Sequence, residues 1–215
     1  MMSHFYLSRR QFLWTVTAAL AVGLVGCDKN HKFSPLISGS LVSALGDSLT
    51  FGYGAEQSQS YPMLLAQKTG WKVDNDGVNG DTTEDILKRL QPVILKKPKL
   101  VLLGIGGNDV LKGVPSQITK NNLINIINQL KSQSITVVLI AQPYISASAL
   151  FGKASDNPIY QEVADLTDVP LLSEVWSEIL SNNNLKSDQI HANPQGYAYF
   201  TDKLYQFLQN LGLCS

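Results

Sequence analysis

The chain has 215 residues, of which 44% are hydrophobic and 16% are charged. This length and composition suit one globular domain with a sizeable apolar core. Its 17 lysine and arginine residues are matched by 17 aspartate and glutamate residues, which leaves no net charge at neutral pH. Because proteins that hold nucleic acid carry a surplus of basic residues, we expect no nucleic-acid partner.

The first 26 residues are predicted to be a secretory signal and not part of the fold. Ser8-Arg9-Arg10-Gln11-Phe12-Leu13 precedes an uncharged run from Trp14 to Gly26. That run is shorter than the about 20 residues that span a membrane. The charged segment resembles the twin-arginine export motif, and Leu24-Val25-Gly26-Cys27 resembles a bacterial lipobox. These resemblances imply that Cys27 is lipidated and becomes the first mature residue; the alternative is a plain cleavable signal with an incidental cysteine.

Residues 27–40 are predicted to be a lipidated tether. The segment from Asp28 to Ser40 is polar and contains serine, glycine and proline, a composition typical of linkers. If it is fully extended, its about 13 residues reach about 40 Å from a bilayer. Asp28 resembles the signal that retains some bacterial lipoproteins in the inner membrane. We therefore predict a lipid-anchored protein of the bacterial cell envelope that faces the periplasm, at the inner rather than the outer membrane.

The cysteines limit the redox and metal chemistry that is available. If Cys27 carries lipid, only Cys214 remains, and neither an intramolecular disulfide nor a cysteine-based metal site can form. We interpret Cys214 as a spare thiol, with pairing between two chains as the alternative. We expect a monomer.

Residues 41–215 are predicted to form one domain in which strands alternate with helices. Apolar runs predict strands over Leu41–Leu45, Trp71–Asn75, Leu100–Ile105, Ile135–Ala141 and Val169–Leu172. Apolar residues at helical spacing predict helices over Tyr61–Lys68, Glu84–Leu90, Ser116–Lys131, Pro158–Leu166 and Glu174–Leu180, and a last helix that begins at Pro194. Pro92 is expected to end the second of these helices.

This alternation predicts a parallel sheet with helices on both faces. Right-handed crossovers favour the strand order 2-1-3-4-5 of flavodoxin-like proteins. We therefore expect a flavodoxin-like, three-layer α/β/α sandwich around a mostly parallel five-stranded sheet.

Gly46-Asp47-Ser48-Leu49 follows the first predicted strand directly. Ser48 is therefore expected at the carboxyl edge of the sheet, where ligands bind in open α/β folds. A serine at this edge acts as a nucleophile only if a base, an orienting acid and oxyanion donors converge on it. By itself, an Asp-Ser pair is more often a turn that caps the next segment.

The general base can be found by elimination. Of the three histidines, His4 lies in the signal and His31 in the tether, so His191 alone belongs to the domain. Asp188 precedes His191 by three residues, a spacing that lets its carboxylate hold the imidazole in the tautomer that accepts a proton. The alternative is a surface histidine that caps a loop.

Two glycine-containing segments are candidates for oxyanion donors. Gly80 lacks a side chain, so its backbone N–H can approach a reacting carbonyl closely. In Gly106-Gly107-Asn108 the glycines allow a sharp turn after the third strand, which lets the Asn108 amide point into the site. A loop glycine and an Asx turn are the alternatives.

Four motifs follow one another along the chain: Gly46-Asp47-Ser48-Leu49, Gly80, Gly106-Gly107-Asn108 and Asp188-x-x-His191. In this order they resemble the motifs of the GDSL or SGNH hydrolase family, and in particular its bacterial arylesterase, thioesterase I and lysophospholipase L1 branch. The resemblance extends from about Leu41 to Leu211. It implies that Ser48 is the nucleophile, His191 the base and Asp188 the residue that orients His191. It also implies an oxyanion hole made by the Ser48 and Gly80 N–H groups and the Asn108 side chain, and neither a metal nor an organic cofactor.

Two acids lie next to the motif residues Ser48 and Asn108, and the chain departs from the family pattern at two places. Asp47 and Asp109 match family positions and are expected to brace loops. Ala192 stands where the family usually has proline, and residues 141–157 follow no substrate-defining pattern.

The function that the resemblance implies is a two-step serine ester hydrolase. Its substrate, a small acyl ester or a lipid-like one, stays open among thioesters, aryl esters, short-chain acyl esters and lysophospholipids. The alternatives are a carbohydrate O-acetylesterase of the envelope and a non-catalytic lipoprotein that binds a ligand.

Overall fold

The computed structural model describes residues 33–144 and 153–214. Within these ranges, the strands are β1 (Leu41–Gly46), β2 (Lys72–Gly77), β3 (Leu100–Gly104), β4 (Thr136–Ile140) and β5 (Leu171–Leu172). The helices are α1 (Ser48–Phe51), α2 (Tyr61–Thr69), α3 (Thr83–Leu95), α4 (Gly107–Leu111), α5 (Ser116–Ser132), α6 (Ile159–Thr167), α7 (Val175–Leu180) and α8 (Pro194–Asn210).

The strands form one sheet in the order β2-β1-β3-β4-β5, and every pairing is parallel. The predicted fold class and strand order are therefore confirmed. Gly46, the last residue of β1, lies opposite Gly77 on β2 and Gly104 on β3. Because the three strands end in register, the loops that follow them emerge side by side at the carboxyl edge of the sheet.

Each face of the sheet has its own apolar core. One core lies under α2, α7 and α8, and its aromatic centre consists of the stacked rings of Trp176 and Phe200, 3.8 Å apart, with Tyr61 against Phe200. The other lies under α3, α5 and α6, where residues such as Ile86 and Leu123 are fully buried. A buried side chain of this kind contributes about 1.5–3 kcal/mol to folding. The two cores hold the strands, and so their carboxyl ends, in a fixed arrangement.

Helix α3 does not end at Pro92, and that prediction is wrong. The helix begins at a capping box between Thr82 and Asp85 and runs through Pro92 to Leu95. Proline removes one helical hydrogen bond, but Pro92 lies on the exposed side. Leu90 and Val93, on either side of it, are buried in the core. Packing of these residues holds the helix together across the lost bond.

Residues 33–40 pack against the domain, although we expected them to be part of an extended tether. The Phe33 N–H donates to the Leu211 carbonyl at 2.9 Å, and the Leu36 N–H donates to the Leu213 carbonyl at 2.8 Å. The indole of Trp71 donates to the Leu36 carbonyl at 3.3 Å. The estimate of about 40 Å for the tether's reach is therefore too long.

The predicted signal, lipobox and first part of the tether lie outside the described residues, and they stay predictions. In the part of the chain that is described, no helix has the length and apolarity to cross a bilayer. At the other terminus, Cys214 is buried, and burial raises the pKa of its thiol to about 11. This thiol is protonated and shielded at neutral pH, which favours the interpretation as a spare thiol over pairing between chains.

Candidate active site

The junction between β1 and α1 presents Ser48 at the carboxyl edge. Asp47 is the N-cap of α1, and its carboxylate accepts the Leu49 N–H at 3.0 Å. Ser48 is the first residue of α1 and is half-buried. Backbone N–H groups at this position have no acceptor within their helix. The Ser48 hydroxyl and N–H therefore both lie where a bound substrate can meet them.

His191 lies between Ser48 and Asp188 and contacts both. Its Nε2 lies 3.0 Å from Ser48 Oγ, and its Nδ1 lies 2.8 Å from Asp188 Oδ2. The histidine side chain is 12% exposed and the aspartate side chain 45%. The structure thus brings together the three side chains that the sequence nominated for catalysis, although Ser48 and Asp188 lie far apart in the chain.

The loop that carries the histidine folds around the carboxylate of Asp188. Oδ1 accepts the backbone N–H groups of Ile190 and His191, at 2.8 and 2.9 Å. Burial by itself would raise the pKa of Asp188, but the hydrogen bonds from Ile190 and His191 outweigh it and lower the pKa below that of an ordinary carboxyl group. Asp188 is therefore ionised at neutral pH, as a residue that orients an imidazole must be.

Tyr53 supports the other side of the imidazole. Its ring centroid lies 4.4 Å from that of His191, with the two planes tilted by 40°. The carbonyl of Tyr53 accepts the Tyr197 hydroxyl at 2.8 Å, and Tyr197 is buried in α8. The histidine is thus held between a carboxylate at one ring nitrogen and an aromatic face. The sequence carries no local signal for this contact, because Tyr53 looks like any loop aromatic residue.

Asn108 reaches the groove through a turn that requires glycine at position 106. Gly106 has a φ of +120°, and a Cβ there would lie 2.5 Å from the Tyr160 hydroxyl. That hydroxyl donates to the Ile105 carbonyl at 2.6 Å, which fixes the end of β3. One N–H of the Asn108 side chain donates to the Asp81 carbonyl at 2.9 Å. The amide has a second N–H, which is the one available to a substrate.

Lys112 and Arg89 donate to the loop that contains Gly80. Gly80 has a φ of +82°, which a residue with a side chain rarely adopts. Lys112 Nζ donates to the Gly80 carbonyl at 2.8 Å. Arg89 contacts the Asp81 carboxylate at 2.7 Å and donates to the Gly46 carbonyl at 3.0 Å. Arg89 therefore joins the end of β1 to the Gly80 loop, a role that its place on an amphipathic helix does not reveal.

The two acids next to the motifs are buried, in agreement with their expected bracing role. Asp109 accepts the N–H and hydroxyl of Thr83, at 2.9 and 2.5 Å, and the hydroxyl of Thr119 at 3.2 Å. Asp47 is 3% exposed. Burial raises the pKa of Asp47 to about 7, although the hydrogen bond from Leu49 lowers it, and the charge of Asp109 adds to the rise.

A small groove of about 20 Å³ lies over Ser48 and His191. It is lined by Asp47, Ser48, Leu49, Gly107, Asn108, Leu111, Gln142, Pro143, Leu180, Ile190 and His191. A larger hollow of about 590 Å³ lies at the opposite edge of the sheet, between the end of α3 and the end of α5. None of the residues nominated for chemistry lines that hollow, and we therefore assign the chemistry to the groove.

Of the nominated residues, Ser48, His191, Asp188 and Asn108 meet at or beside the groove, and Gly80 occupies the adjoining loop. Cys27 lies outside the described residues. Gln142 also lines the groove, and sequence reasoning missed it, because a glutamine after a strand has no distinguishing pattern.

A parallel sheet with a serine, a histidine and an aspartate in contact at its carboxyl edge is typical of ester hydrolases as a class. The chain belongs to the GDSL-like Lipase/Acylhydrolase family, whose sequence profile matches residues 44–199. It is 34% identical over 175 residues to the Thioesterase 1/protease 1/lysophospholipase L1 of Escherichia coli (strain K12), a match that covers 78% of this chain and 82% of that protein. Membership of this family makes the chain a hydrolase that acts on ester bonds.

A second relative agrees with this assignment, and a solved structure agrees with the fold. The chain is 30% identical over 175 residues to the Arylesterase of Vibrio mimicus, which covers 76% of this chain and 86% of that protein. The crystal structure of the psychrotrophic esterase EstA from Pseudoalteromonas sp. superposes with a TM-score of 0.68 at 21% identity and covers 79% of this chain and 97% of that one. At this identity, the second likeness concerns the fold alone.

Proposed function

We propose that the protein hydrolyses carboxylic esters or thioesters through an acyl-enzyme on Ser48. The observation that carries the proposal is the chain of contacts from Asp188 through His191 to Ser48, at 2.8 and 3.0 Å. His191 Nε2 takes the proton of the Ser48 hydroxyl while Oγ attacks the acyl carbon, and the same imidazole then protonates the leaving alcohol or thiol. Water activated by His191 hydrolyses the acyl-enzyme and restores Ser48.

The negative charge that forms on the substrate oxygen needs donors at the same place. The Ser48 N–H, the Gly80 N–H and the side chain of Asn108 fill this role. The Ser48 N–H suits this role because Ser48 is the first residue of α1. Asn108 suits it because it lines the groove and its orientation is fixed by its bond to Asp81. A preorganised donor of this kind is typically worth about 10²–10³ in rate.

The substrate is proposed to carry an acyl chain. Leu111 lines the groove and is 50% exposed. Other large apolar side chains that follow the carboxyl ends of the strands are exposed as well, namely Phe51, Tyr53, Val78 and Tyr144. Exposed apolar side chains at one edge suit an apolar ligand. The names of the relatives, which cover thioesters, aryl esters and lysophospholipids, support the same class of substrate.

Two assays test the proposed function. One is labelling with a serine-reactive fluorophosphonate probe, and the other is hydrolysis of p-nitrophenyl esters of increasing chain length, acyl-CoA and acetylated sugars. The wild type should be labelled at Ser48 and should hydrolyse the acyl esters. Ser48→Ala should lose both properties, whereas Ser132→Ala, at an exposed serine at the end of α5, should keep both. Labelling that persists in Ser48→Ala would disprove the nucleophile. A protein without labelling or turnover would be a binding module, and turnover of acetylated sugars alone would favour the O-acetylesterase.

We also propose that the enzyme is anchored through Cys27 and works in the periplasm, at the inner membrane. The support is the lipobox, the preceding Arg9-Arg10 pair and the aspartate that follows the cysteine. If the signal is removed before Cys27, the six residues 27–32 join the lipid to the packed segment, and their length limits the reach to about 20 Å. Cys27→Ala should release the protein from membranes or leave it unprocessed. Co-sedimentation of the wild type with outer-membrane porins would contradict the inner-membrane location.

A further inference from the structure

The groove contains a buried polar atom that has no partner. Among the described residues, Gln142 Oε1 is the buried side-chain oxygen for which no hydrogen bond exists. Gln142 is 1% exposed and yet lines the groove beside Ser48 and Asn108. Most buried polar side-chain atoms are paired, because an unpaired one retains the full cost of its desolvation. An exception therefore calls for an explanation, and a bound partner that supplies the hydrogen bond is one.

The orientation of the Gln142 amide follows from its surroundings. Its Nε2 donates weakly to the Ile140 carbonyl, at 3.4 Å. If the amide were flipped, its oxygen would face that carbonyl oxygen, which would be repulsive. A Cβ on Gly104 would lie 3.1 Å from Nε2, and so the missing side chain leaves room for the amide across the end of β3. Oε1 therefore points away from that carbonyl, on the side of Gly107, which lines the groove.

The backbone around Gln142 is held firmly, so the amide is not a loose surface group. The Gln142 carbonyl accepts the Asn157 N–H at 3.1 Å. The next residue, Pro143, forms an antiparallel bridge with Asp156, and the Tyr144 N–H donates to the Ser155 carbonyl at 2.7 Å. A side chain that is fixed at its base can discriminate between ligands by a single hydrogen bond.

We propose that Gln142 is a specificity-determining residue, whose Oε1 accepts a hydrogen bond from a hydroxyl or amide N–H of the substrate close to the scissile ester. The proposal rests on the ester hydrolase function given above and predicts a preference for acyl esters that carry a hydrogen-bond donor near the ester. The groove volume of about 20 Å³ holds a group of the size of one hydroxyl. The donor belongs either to the acyl part or to the alcohol part of the ester, and separate substrates distinguish these two sources.

The rival partner for Oε1 is the carboxyl group of Asp47. A Cβ on Gly107 would lie 3.7 Å from Asp47 Oδ2 and 4.0 Å from Gln142 Oε1, so both oxygens border the same glycine. A protonated Asp47 in contact with Oε1 would satisfy it without a substrate. In that case, replacement of Gln142 would affect substrates with and without a donor by the same factor.

The test measures kcat/KM for two pairs of esters on the same enzyme preparation. One pair is p-nitrophenyl butyrate and p-nitrophenyl 3-hydroxybutyrate, and the other is propyl butyrate and 2-hydroxypropyl butyrate. The ratio within a pair does not depend on the folded fraction, so it stays interpretable if a variant is less stable. We expect Gln142→Met to lower the ratio of hydroxylated to plain ester about tenfold in one pair, and Gln142→Asn to lower it as well.

Gln161→Met is the matched control, since Gln161 lies exposed on α6 and pairs there with Asp165. Its ratios should equal those of the wild type. Unchanged ratios in both pairs for Gln142→Met would overturn the proposal, including the case in which Asp47 is the partner. A wild type that hydrolyses neither member of either pair would contradict the proposed function itself, which is a different outcome.

Discussion

Both carboxylate oxygens of Asp188 are engaged, and Oδ2, at 2.8 Å from Nδ1 of His191, is the one that faces the imidazole. Oδ1 accepts the N–H groups of Ile190 and His191. One side chain thus shapes the loop and selects the tautomer of the ring that the loop carries. When Nδ1 bears the proton, Nε2 has a free lone pair 3.0 Å from Ser48 Oγ.

This arrangement predicts that Asp188→Asn inactivates the enzyme without unfolding it. An asparagine retains only one acceptor oxygen, and the two backbone N–H groups compete for it. If the oxygen stays with them, the NH₂ group faces Nδ1 and forces the proton onto Nε2, which can then no longer accept from Ser48. We expect kcat for p-nitrophenyl butyrate to fall about 10³–10⁴-fold.

Circular dichroism should show an intact fold in Asp188→Asn. Asp165→Asn, an exposed residue on α6 that accepts a hydrogen bond from Gln161, is the control and should keep the wild-type kcat. A kcat for Asp188→Asn within threefold of the wild type would remove Asp188 from the proposed mechanism.

The oxyanion role of Asn108 predicts an effect on kcat more than on KM. The bond from its amide strengthens as charge develops on the substrate oxygen, so its loss raises the barrier and not the binding energy of the ground state. Asn108→Ala should lower kcat about 10²-fold. Steady-state kinetics with one chromogenic ester separates the two constants.

Asn108 also binds the Asp81 carbonyl, and its loss could act by loosening the Gly80 loop. Lys112→Met is the control for this effect, because it removes another donor to the same loop, at the Gly80 carbonyl, and leaves the Asn108 amide in place. We expect a much smaller loss of kcat in Lys112→Met. A raised KM with normal kcat in Asn108→Ala would make Asn108 a binding residue instead.

Much of this fold could be predicted from the sequence because its signals are local. The buried runs that became β3 and β4 are continuous and apolar, and Asn193 with Pro194 marks the start of α8 by cap chemistry alone. Ser48 and His191 were found because the strand ends and the scarcity of histidines leave few choices. The predicted end of α3 at Pro92 was wrong, because the burial of the neighbouring residues decides whether a helix continues through a proline.

The support of the site could not be predicted, because it consists of contacts between distant segments. Arg89 reaches the Gly46 carbonyl from α3, and Tyr53 packs on His191 from the far end of the domain sequence. The unpaired oxygen of Gln142 depends on what surrounds it in space. None of these relationships leaves a periodicity or a motif in the chain.

The groove predicts that Leu111 contributes to selection of acyl chains. Leu111 is among the residues that line the groove, whereas its neighbour Val110 is not. Leu111→Asn should reduce kcat/KM for p-nitrophenyl octanoate about tenfold more than for the acetate, since each buried methylene contributes about 0.8 kcal/mol. Leu166→Asn, at an exposed leucine on α6, is the control and should leave the ratio of the two esters unchanged. Equal losses for both esters in Leu111→Asn would contradict an acyl-chain contact.

The buried carboxyl group of Asp47 predicts that stability falls as the pH rises. Burial raises the pKa of Asp47 to about 7 in the folded chain, whereas an unfolded chain has the ordinary value of about 3.9. Between these values the folded state keeps a proton that the unfolded state has lost, so folding is penalised progressively from about pH 4 to pH 7, and the penalty is complete above that range.

Asp47→Asn removes the titration and retains an oxygen that can accept the Leu49 N–H. Urea unfolding of both proteins should therefore show a wild type that loses, relative to the variant, on the order of 3 kcal/mol between pH 5 and pH 8. A difference that does not change with pH would mean that Asp47 is already ionised in the folded enzyme at pH 5.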